Sequence, residues 1–126
     1  MDRSTVQAWL DRYVRAWERN DAAEIAELFA DKAVYSFGPF AEDLVGREEI
    51  VGWWLEDPDE PGSWAAEYRP ILVEGDTAIA NGRSRYGNPD GSLRDEYDNI
   101  LMIRLDDDGR CSEFREWFMQ RPKTKA

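Results

Sequence analysis

The sequence predicts an α+β domain in which helices come first and a mostly antiparallel sheet follows. Apolar residues recur at helical spacing in most of the first 55 residues, and the period changes to that of strands from Trp64 onward. Turn signals separate these strands, and strands that follow one another in a run favour antiparallel pairing, with helices covering one face. We expect a single domain over residues 1–126, with an ordered core from about residue 4 to residue 121.

The first two helices are predicted from their caps and their apolar spacing. Ser4 and Gln7 form a capping box at the start of a helix that extends to about residue 19. Asp21 is expected to cap a second helix over residues 22–30, because an aspartate side chain accepts hydrogen bonds from the free backbone N–H groups.

The remaining elements give the order α-α-β-α-β-β-β-β. The third helix has Gly46 at its opening and acidic residues in its first turn, which the helix dipole favours. The predicted elements after residue 30 are a strand at 33–37, a helix at 44–55, and strands at 64–74, 77–86, 96–105 and 111–120.

Composition excludes several classes of function. The net charge is −11 and the sequence pI is near 4.4, which argues against nucleic acid or an anionic membrane as a partner. The sequence has no histidine, so Ser-His and Cys-His nucleophile systems and most zinc sites are excluded. The single cysteine and an N-terminus without an apolar signal core lead us to expect a cytoplasmic protein.

The last strand has two different faces. Side chains alternate along a strand, so Glu116 shares a face with Phe114 and Phe118, while Trp117 and Met119 share the other. If the first face lines a cavity, desolvation would raise the pKa of Glu116 and make it a candidate general acid or base. The alternative is a buried ion pair with an arginine that holds the sheet together. The candidate partners for that pair are Arg83, Arg85 and Arg104.

A family resemblance extends from about residue 5 to residue 121. It rests on residues of the predicted helices and the first strand: Tyr13, Trp17, Asp21, residues 28–35 and residues 44–50. Together these resemble the nuclear transport factor 2-like superfamily, and within it the SnoaL-like small proteins. That superfamily includes cyclases, isomerases, dehydratases, epoxide hydrolases and transport factors, so the resemblance implies a fold and not one activity.

The resemblance implies a curved sheet rolled into a cone around a pocket, with helices closing the wide end and the outer sheet face forming a homodimer. In members similar to limonene-epoxide hydrolase, the acidic position that matches Glu116 points into the pocket and works as an acid. Tyr35 falls where such enzymes place a water-positioning tyrosine. Gly82 and Ser84 stand where those hydrolases have an Arg-x-Asp pair, so the water-activating aspartate has no counterpart.

Two arrangements are open for Arg83 and Arg85. A one-residue bulge would turn them into the pocket, because a register shift of one residue exchanges the faces of a strand. Without a bulge they point outward, and we favour that arrangement, with the arginines pairing with acids across a dimer interface. The acidic run at residues 106–109 does not fit a calcium loop, because Arg104 and Arg115 fall where carboxylates are required.

The predicted site follows from the alternation of the strands and from the resemblance. We expect Glu116 to carry a proton, with Tyr35, Tyr97 and Asn99 as orienting groups, in a catalytic site without metal or cofactor. The predicted ligand contacts are Trp17, Phe37, Trp54, Ser84, Tyr86, Leu101, Phe114 and Phe118. Of the adjacent Trp53 and Trp54, we expect at most one to reach the pocket.

The predicted function is the binding of a small, mainly apolar molecule that contains oxygen. Acid-base catalysis as an isomerase, dehydratase, cyclase or hydrolase is one hypothesis. The alternative is a non-catalytic ligand-binding or protein-interaction domain of the same fold.

Overall fold

A computed structural model describes residues 1–123 and confirms the α+β prediction. Three helices accompany one six-stranded, mostly antiparallel sheet with the strand order β2-β1-β6-β5-β4-β3. Within the described residues, only β1 and β6 pair in parallel. The elements are α1 Arg3–Arg19, α2 Ala22–Leu28, β1 Phe29–Ser36, β2 Leu44–Val45, α3 Arg47–Glu56, β3 Trp64–Glu74, β4 Thr77–Gly87, β5 Leu93–Leu105 and β6 Cys111–Gln120.

The cap of α1 differs from the predicted one. Asp2 is the capping residue, not Ser4: its carboxylate accepts from the Thr5 backbone N–H at 2.9 Å and from the Ser4 hydroxyl at 2.9 Å. Asp2 lies one position ahead of the first helical residue, and its carboxylate accepts a charge-assisted hydrogen bond from a backbone N–H of the first turn that has no partner within the helix. The predicted Asp21 cap of α2 is confirmed by its bonds to the Ala23 and Glu24 N–H groups.

Two predicted boundaries are wrong because the sheet takes residues assigned to helices. The second helix ends at Leu28 instead of residue 30, since Phe29 is already extended and pairs with Cys111 of β6. The third helix begins at Arg47 instead of residue 44. Leu44 and Val45 form the short strand β2, which pairs antiparallel with β1.

The inner face of the sheet packs against the helices around an aromatic core. Trp9 of α1 is fully buried, and its indole N–H donates to the carbonyl of Leu28 at 3.0 Å. Its ring packs against Phe29 of β1 and lies 6.1 Å from the ring of Phe114 of β6. This core fixes α1 across the sheet, which sets the position of the side chains further along the helix.

Strand register decides which residues face inward. Asn99 pairs with Phe118 and Leu101 with Glu116 across β5 and β6, so these residues share the inner face. Arg83 and Arg85 lie on the outer face, because the β4–β5 register runs without a shift from Thr77 to Tyr86.

The two outer-face arginines are paired within their own sheet. Arg83 bonds Asp98 at 3.0 Å, and Arg85 bonds Glu96 at 2.7 Å. The outward arrangement that we favoured is therefore present, and the acids that pair with the arginines lie on the neighbouring strand β5.

Candidate functional site

A cavity of about 570 Å³ lies between α1, α3, the loop after α3 and the inner face of the sheet. It opens to solvent at an end where Phe118 is 55% exposed. The residues that line it are Tyr13, Trp17, Asn20, Tyr35, Trp53, Trp54, Glu56, Asp57, Pro58, Asp59, Tyr68, Ser84, Tyr86, Arg94, Asp95, Tyr97, Asn99, Glu116 and Phe118.

Glu116 is held in the cavity wall by a short chain of neutral groups. Its Oε2 accepts a hydrogen bond from Asn99 Nδ2 at 2.8 Å. Asn99 Oδ1 in turn accepts from the Ser84 hydroxyl at 3.1 Å. Both Asn99 and Ser84 are buried, so the serine fixes the amide with its N–H side toward the carboxylate.

Burial raises the pKa of Glu116 to about 7, and the hydrogen bond from Asn99 lowers it by less than burial raises it. Within residues 1–123, no lysine or arginine lies within 4.0 Å of its carboxylate. The ion-pair alternative is wrong for all three candidates, because Arg83 and Arg85 pair with acids on the outer face and Arg104 bonds Glu113 at 2.9 Å.

Two tyrosine hydroxyls meet beside this carboxylate. The hydroxyls of Tyr13 and Tyr35 are 3.3 Å apart, and the Tyr35 ring stacks on Phe114 with 4.6 Å between centroids. Burial raises the pKa of both phenols far above their ordinary value, and the nearby charge of Glu116 raises it further. Both hydroxyls are therefore neutral hydrogen-bond donors at any physiological pH.

Tyr68 of β3 is a wall residue that the sequence analysis did not identify. It lies opposite Gly82 of β4, and a Cβ at Gly82 would come within 2.5 Å of the Tyr68 ring and 2.0 Å of the Glu67 carbonyl oxygen. Because Gly82 has no side chain, the Tyr68 ring can occupy this space. A glycine that faces inward on a central strand was the available signal, because it marks a close approach from the neighbouring strand.

The structure brings most of the predicted site residues together. The four residues predicted to be catalytic, Glu116, Tyr35, Tyr97 and Asn99, all line the cavity. So do the predicted ligand contacts Trp17, Trp54, Ser84, Tyr86 and Phe118.

The other three predicted ligand contacts are not among the residues that line the cavity. Leu101 and Phe114 have no exposed surface: Leu101 is the cross-strand neighbour of Glu116, and the Phe114 ring stacks against the Tyr13 and Tyr35 rings. Phe37 follows the end of β1 and stacks on Trp53, with 5.0 Å between the ring centroids. Alternation places a residue on a face, but it does not tell whether another ring covers it.

Both Trp53 and Trp54 line the cavity, contrary to the expectation that at most one would. The two rings diverge, but Trp53 packs against Tyr35 at 5.4 Å and Trp54 against Tyr13 at 5.5 Å between centroids. Because these two tyrosines meet at their hydroxyls, both tryptophans reach the same space. Tyr13, which is not among the predicted site residues, also lines the cavity.

The loop after α3 forms part of the rim and is tied to α1. The indole N–H of Trp17 donates to Asp59 Oδ2 at 2.9 Å, and Asn20 Nδ2 donates to the Asp59 carbonyl at 3.2 Å. The Trp17 ring also stacks on Trp64 with 3.6 Å between centroids. Sequence reasoning did not identify Asp59, because its contact partner is about 40 residues away in the chain.

In the part of the chain that the structure describes, no three or more Cys, Asp or Glu side chains are grouped so that they could hold a metal ion. Nor is any described helix both long enough and apolar enough to cross a membrane.

Comparisons with solved structures show the same fold in proteins of low sequence identity. A provisionally named ketosteroid isomerase from Kribbella flavida superimposes with a TM-score of 0.72 and 18% identity, over 99% of this chain and 85% of that one. A nuclear transport factor 2-like protein of unknown function from Burkholderia xenovorans superimposes with a TM-score of 0.71 and 15% identity, over 97% of this chain and 88% of that one. An epoxide hydrolase of M. tuberculosis, described as similar to limonene-epoxide hydrolase, superimposes with a TM-score of 0.68 and 14% identity, over 92% of this chain and 84% of that one.

Comparison at the level of sequence identifies the family of this chain. None of the curated protein sequences matches the chain significantly. The family model described as the SnoaL-like domain matches residues 10–114, which is most of the chain. Because this model covers most of the chain, the chain belongs to the SnoaL-like family.

Proposed function

We propose that the protein is a cofactor-free enzyme that moves a proton on a small molecule bearing a carbonyl or similar oxygen, with Glu116 as the proton carrier. One observation supports this most directly: Glu116 lies on the wall of an open cavity, bonded to a neutral amide and to no cation of the described chain. A carboxylate with a pKa near 7 is populated in both forms at neutral pH, which suits a general acid or base.

The neighbouring tyrosines supply the second requirement of such a reaction. When Glu116 removes a proton from the carbon next to a carbonyl group, the C–H electron pair moves into the C–C bond and negative charge develops on the carbonyl oxygen. The Tyr35 hydroxyl, paired with that of Tyr13, is a neutral donor able to stabilise this oxygen. Glu116 then returns the proton to another atom of the substrate, which completes an isomerisation, or protonates a leaving hydroxyl, which completes a dehydration.

The roles of the remaining predicted residues are refined by their contacts. Asn99 uses one N–H on Glu116 and its oxygen on Ser84, so we assign it to holding the carboxylate. Tyr97 packs against Tyr86 and Phe118 near the cavity mouth, which suits an orienting contact for the ligand.

The test uses nitrobenzisoxazole, a probe whose ring opens when a base removes its carbon-bound proton. The N–O bond breaks and a coloured cyanophenolate forms, so turnover is read by absorbance. We expect turnover by the wild type and a loss of roughly a hundredfold or more in Glu116→Gln. The matched control Glu74→Gln makes the same change at an exposed position outside the cavity and is expected to turn over like the wild type. Equal turnover in wild type and Glu116→Gln would eliminate the mechanism.

Native mass spectrometry of the purified protein then identifies a retained ligand as a candidate substrate. If a ligand binds equally well to wild type and Glu116→Gln and is never converted, the protein is the non-catalytic binding domain of the alternative hypothesis.

We further propose a homodimer through the outer sheet face. Trp117 and Met119 of β6 are 44% and 76% exposed there, and Ile100 of β5 is 36% exposed beside them. Apolar side chains adjacent on one open sheet face favour contact with a second copy. Light scattering at micromolar concentration should give the dimer mass for the wild type and the monomer mass for a Trp117→Lys, Met119→Lys double variant. A monomeric wild type contradicts the proposal.

A further inference from the structure

We propose that the ligand of the cavity carries a protonated amine or a quaternary ammonium group. The proposal rests on the proposed function in one respect, namely that the cavity described above is where the substrate binds. It adds the chemical class of that substrate, which neither the fold nor the carboxylate alone supplies.

The walls of the cavity are mainly aromatic. Aromatic rings line the cavity from α1, from α3 and from five strands, and the faces of such rings attract cations electrostatically. The rings are those of Tyr13, Trp17, Tyr35, Trp53, Trp54, Tyr68, Tyr86, Tyr97 and Phe118. They form walls that suit the apolar body of a ligand as well as a positive group.

Acidic side chains outnumber basic ones around the cavity. Glu116 lies in the interior, and Glu56, Asp57 and Asp59 lie on the rim. Among the lining residues that the structure describes, Arg94 is the one cationic side chain.

Arg94 does not offset these acids, because it is already paired. Its guanidinium bonds Asp95 at 2.9 Å, and Asp95 also bonds Lys123 at 2.8 Å. The remaining field at the cavity mouth is negative, so a cationic ligand is attracted and an anionic ligand is repelled.

One ring of the cavity mouth already contacts a cationic side chain of the protein. The guanidinium carbon of Arg94 lies 5.7 Å from the centroid of the Tyr86 ring, so a ring of the cavity mouth already accepts a cation of the protein. The side-chain oxygen of Asn20, another lining residue, is buried without a hydrogen-bond partner within residues 1–123. An unpartnered acceptor and ring faces that attract a cation both complement an ammonium group.

Other ligand classes fit less well. An anionic ligand would face Glu116 and the rim acids with one arginine that is already paired. A wholly apolar ligand would remove water from the Glu116 carboxylate without replacing the lost interactions, which is unfavourable for an ionised group. An ammonium group satisfies the carboxylate, and the apolar remainder of the same molecule packs on the rings.

The test compares choline with its neutral carbon isostere, 3,3-dimethylbutanol, by calorimetry at pH 6.5 in two buffers of different ionisation enthalpy. We expect choline to bind roughly tenfold more tightly than the isostere. Choline favours the ionised carboxylate, so its binding should release a proton from Glu116, while the isostere should release none. The charged and titratable groups facing Glu116 are the phenols of Tyr13, Tyr35, Tyr68 and Tyr86, and they stay neutral at this pH.

Two variants separate the carboxylate from the overall charge. Glu116→Gln should bind choline with a smaller preference over the isostere and release no proton, while Glu74→Gln, which removes one acid outside the cavity, should keep the full preference and the proton release. Equal or tighter binding of the isostere, or no binding of either molecule at millimolar concentration, overturns the proposal. Nitrobenzisoxazole is uncharged and has no ammonium group. Its turnover therefore tests proton transfer by Glu116 independently of the preference for a cationic ligand.

Discussion

Two glutamates on opposite faces of the same sheet show how neighbours decide the behaviour of a carboxylate. Glu96 on the outer face has a side chain that is only 8% exposed, and it contacts Arg121, Arg85 at 2.7 Å and Arg83 at 3.8 Å. Glu116 on the inner face bonds one neutral amide.

The pKa values of the two carboxylates are shifted in opposite directions. The bond from Arg121, supported by Arg85, holds the pKa of Glu96 below its usual range against the effect of burial. Burial without a cation raises the pKa of Glu116 to about 7. The first arrangement keeps a carboxylate permanently charged, whereas the second leaves it able to exchange a proton near neutral pH.

The largest expected effect on stability concerns the cost of ionising Glu116. Its pKa is about 7 in the folded chain and 4.5 as a free side chain, so the wild type loses stability as the pH rises from about 4.5 through 7. Glu116→Gln does not ionise and should be more stable than the wild type by ~2 kcal/mol at pH 8. Urea unfolding across this pH range measures the difference, which should vanish near pH 4. A constant difference at all pH values would mean that Glu116 does not titrate as described.

The second prediction gives Glu116 a partner like those of Glu96. Phe118 is two residues further along the same face of β6 and half-exposed, so an arginine placed there can reach the Glu116 carboxylate. Phe118→Arg should lower the pKa of Glu116 by about 1 unit or more, as measured by NMR of the labelled carboxyl carbon. Phe118→Met is the control for loss of the ring. An unchanged pKa in Phe118→Arg would show that the open mouth screens the pair.

The third prediction breaks the Glu96 cluster. Because the pKa of Glu96 is lowered in the folded chain, its ion pairs stabilise the protein above pH 4.5 and lose that effect as the pH falls through the lowered value. Glu96→Gln should unfold at a lower urea concentration than the wild type at pH 7, and the two should converge under acid conditions. Equal midpoints at pH 7 would show that the arginines contribute nothing measurable through this residue.

The smallest expected effect concerns Ser84, which contacts Glu116 only through Asn99. Ser84→Ala removes the hydroxyl that orients the amide, so the Asn99–Glu116 bond should weaken and the pKa of Glu116 should rise by a few tenths of a unit. Ser92→Ala is a control at an exposed turn. A fall in the pKa of Glu116 would contradict the proposed orientation of the amide.

Much of the fold could be predicted because its signals are local. The helical spacing in α1 and the turns between strands lie within short stretches of sequence, and alternation alone placed Glu116 and Trp117 on opposite faces of β6. The errors occurred at junctions, where Phe29 and the Leu44–Val45 pair joined the sheet through partners elsewhere in the chain.

The sequence by itself determined the order of the elements other than the short strand β2, the absence of histidine chemistry, and that Glu116 shares a face with Phe114 and Phe118. Only the tertiary structure decided that this face is open, that Tyr13 and Tyr68 share it, and that every candidate arginine points elsewhere. The physical reason is that a pKa and a cavity depend on groups brought together from distant strands and helices, whereas alternation depends on the chain within a few residues.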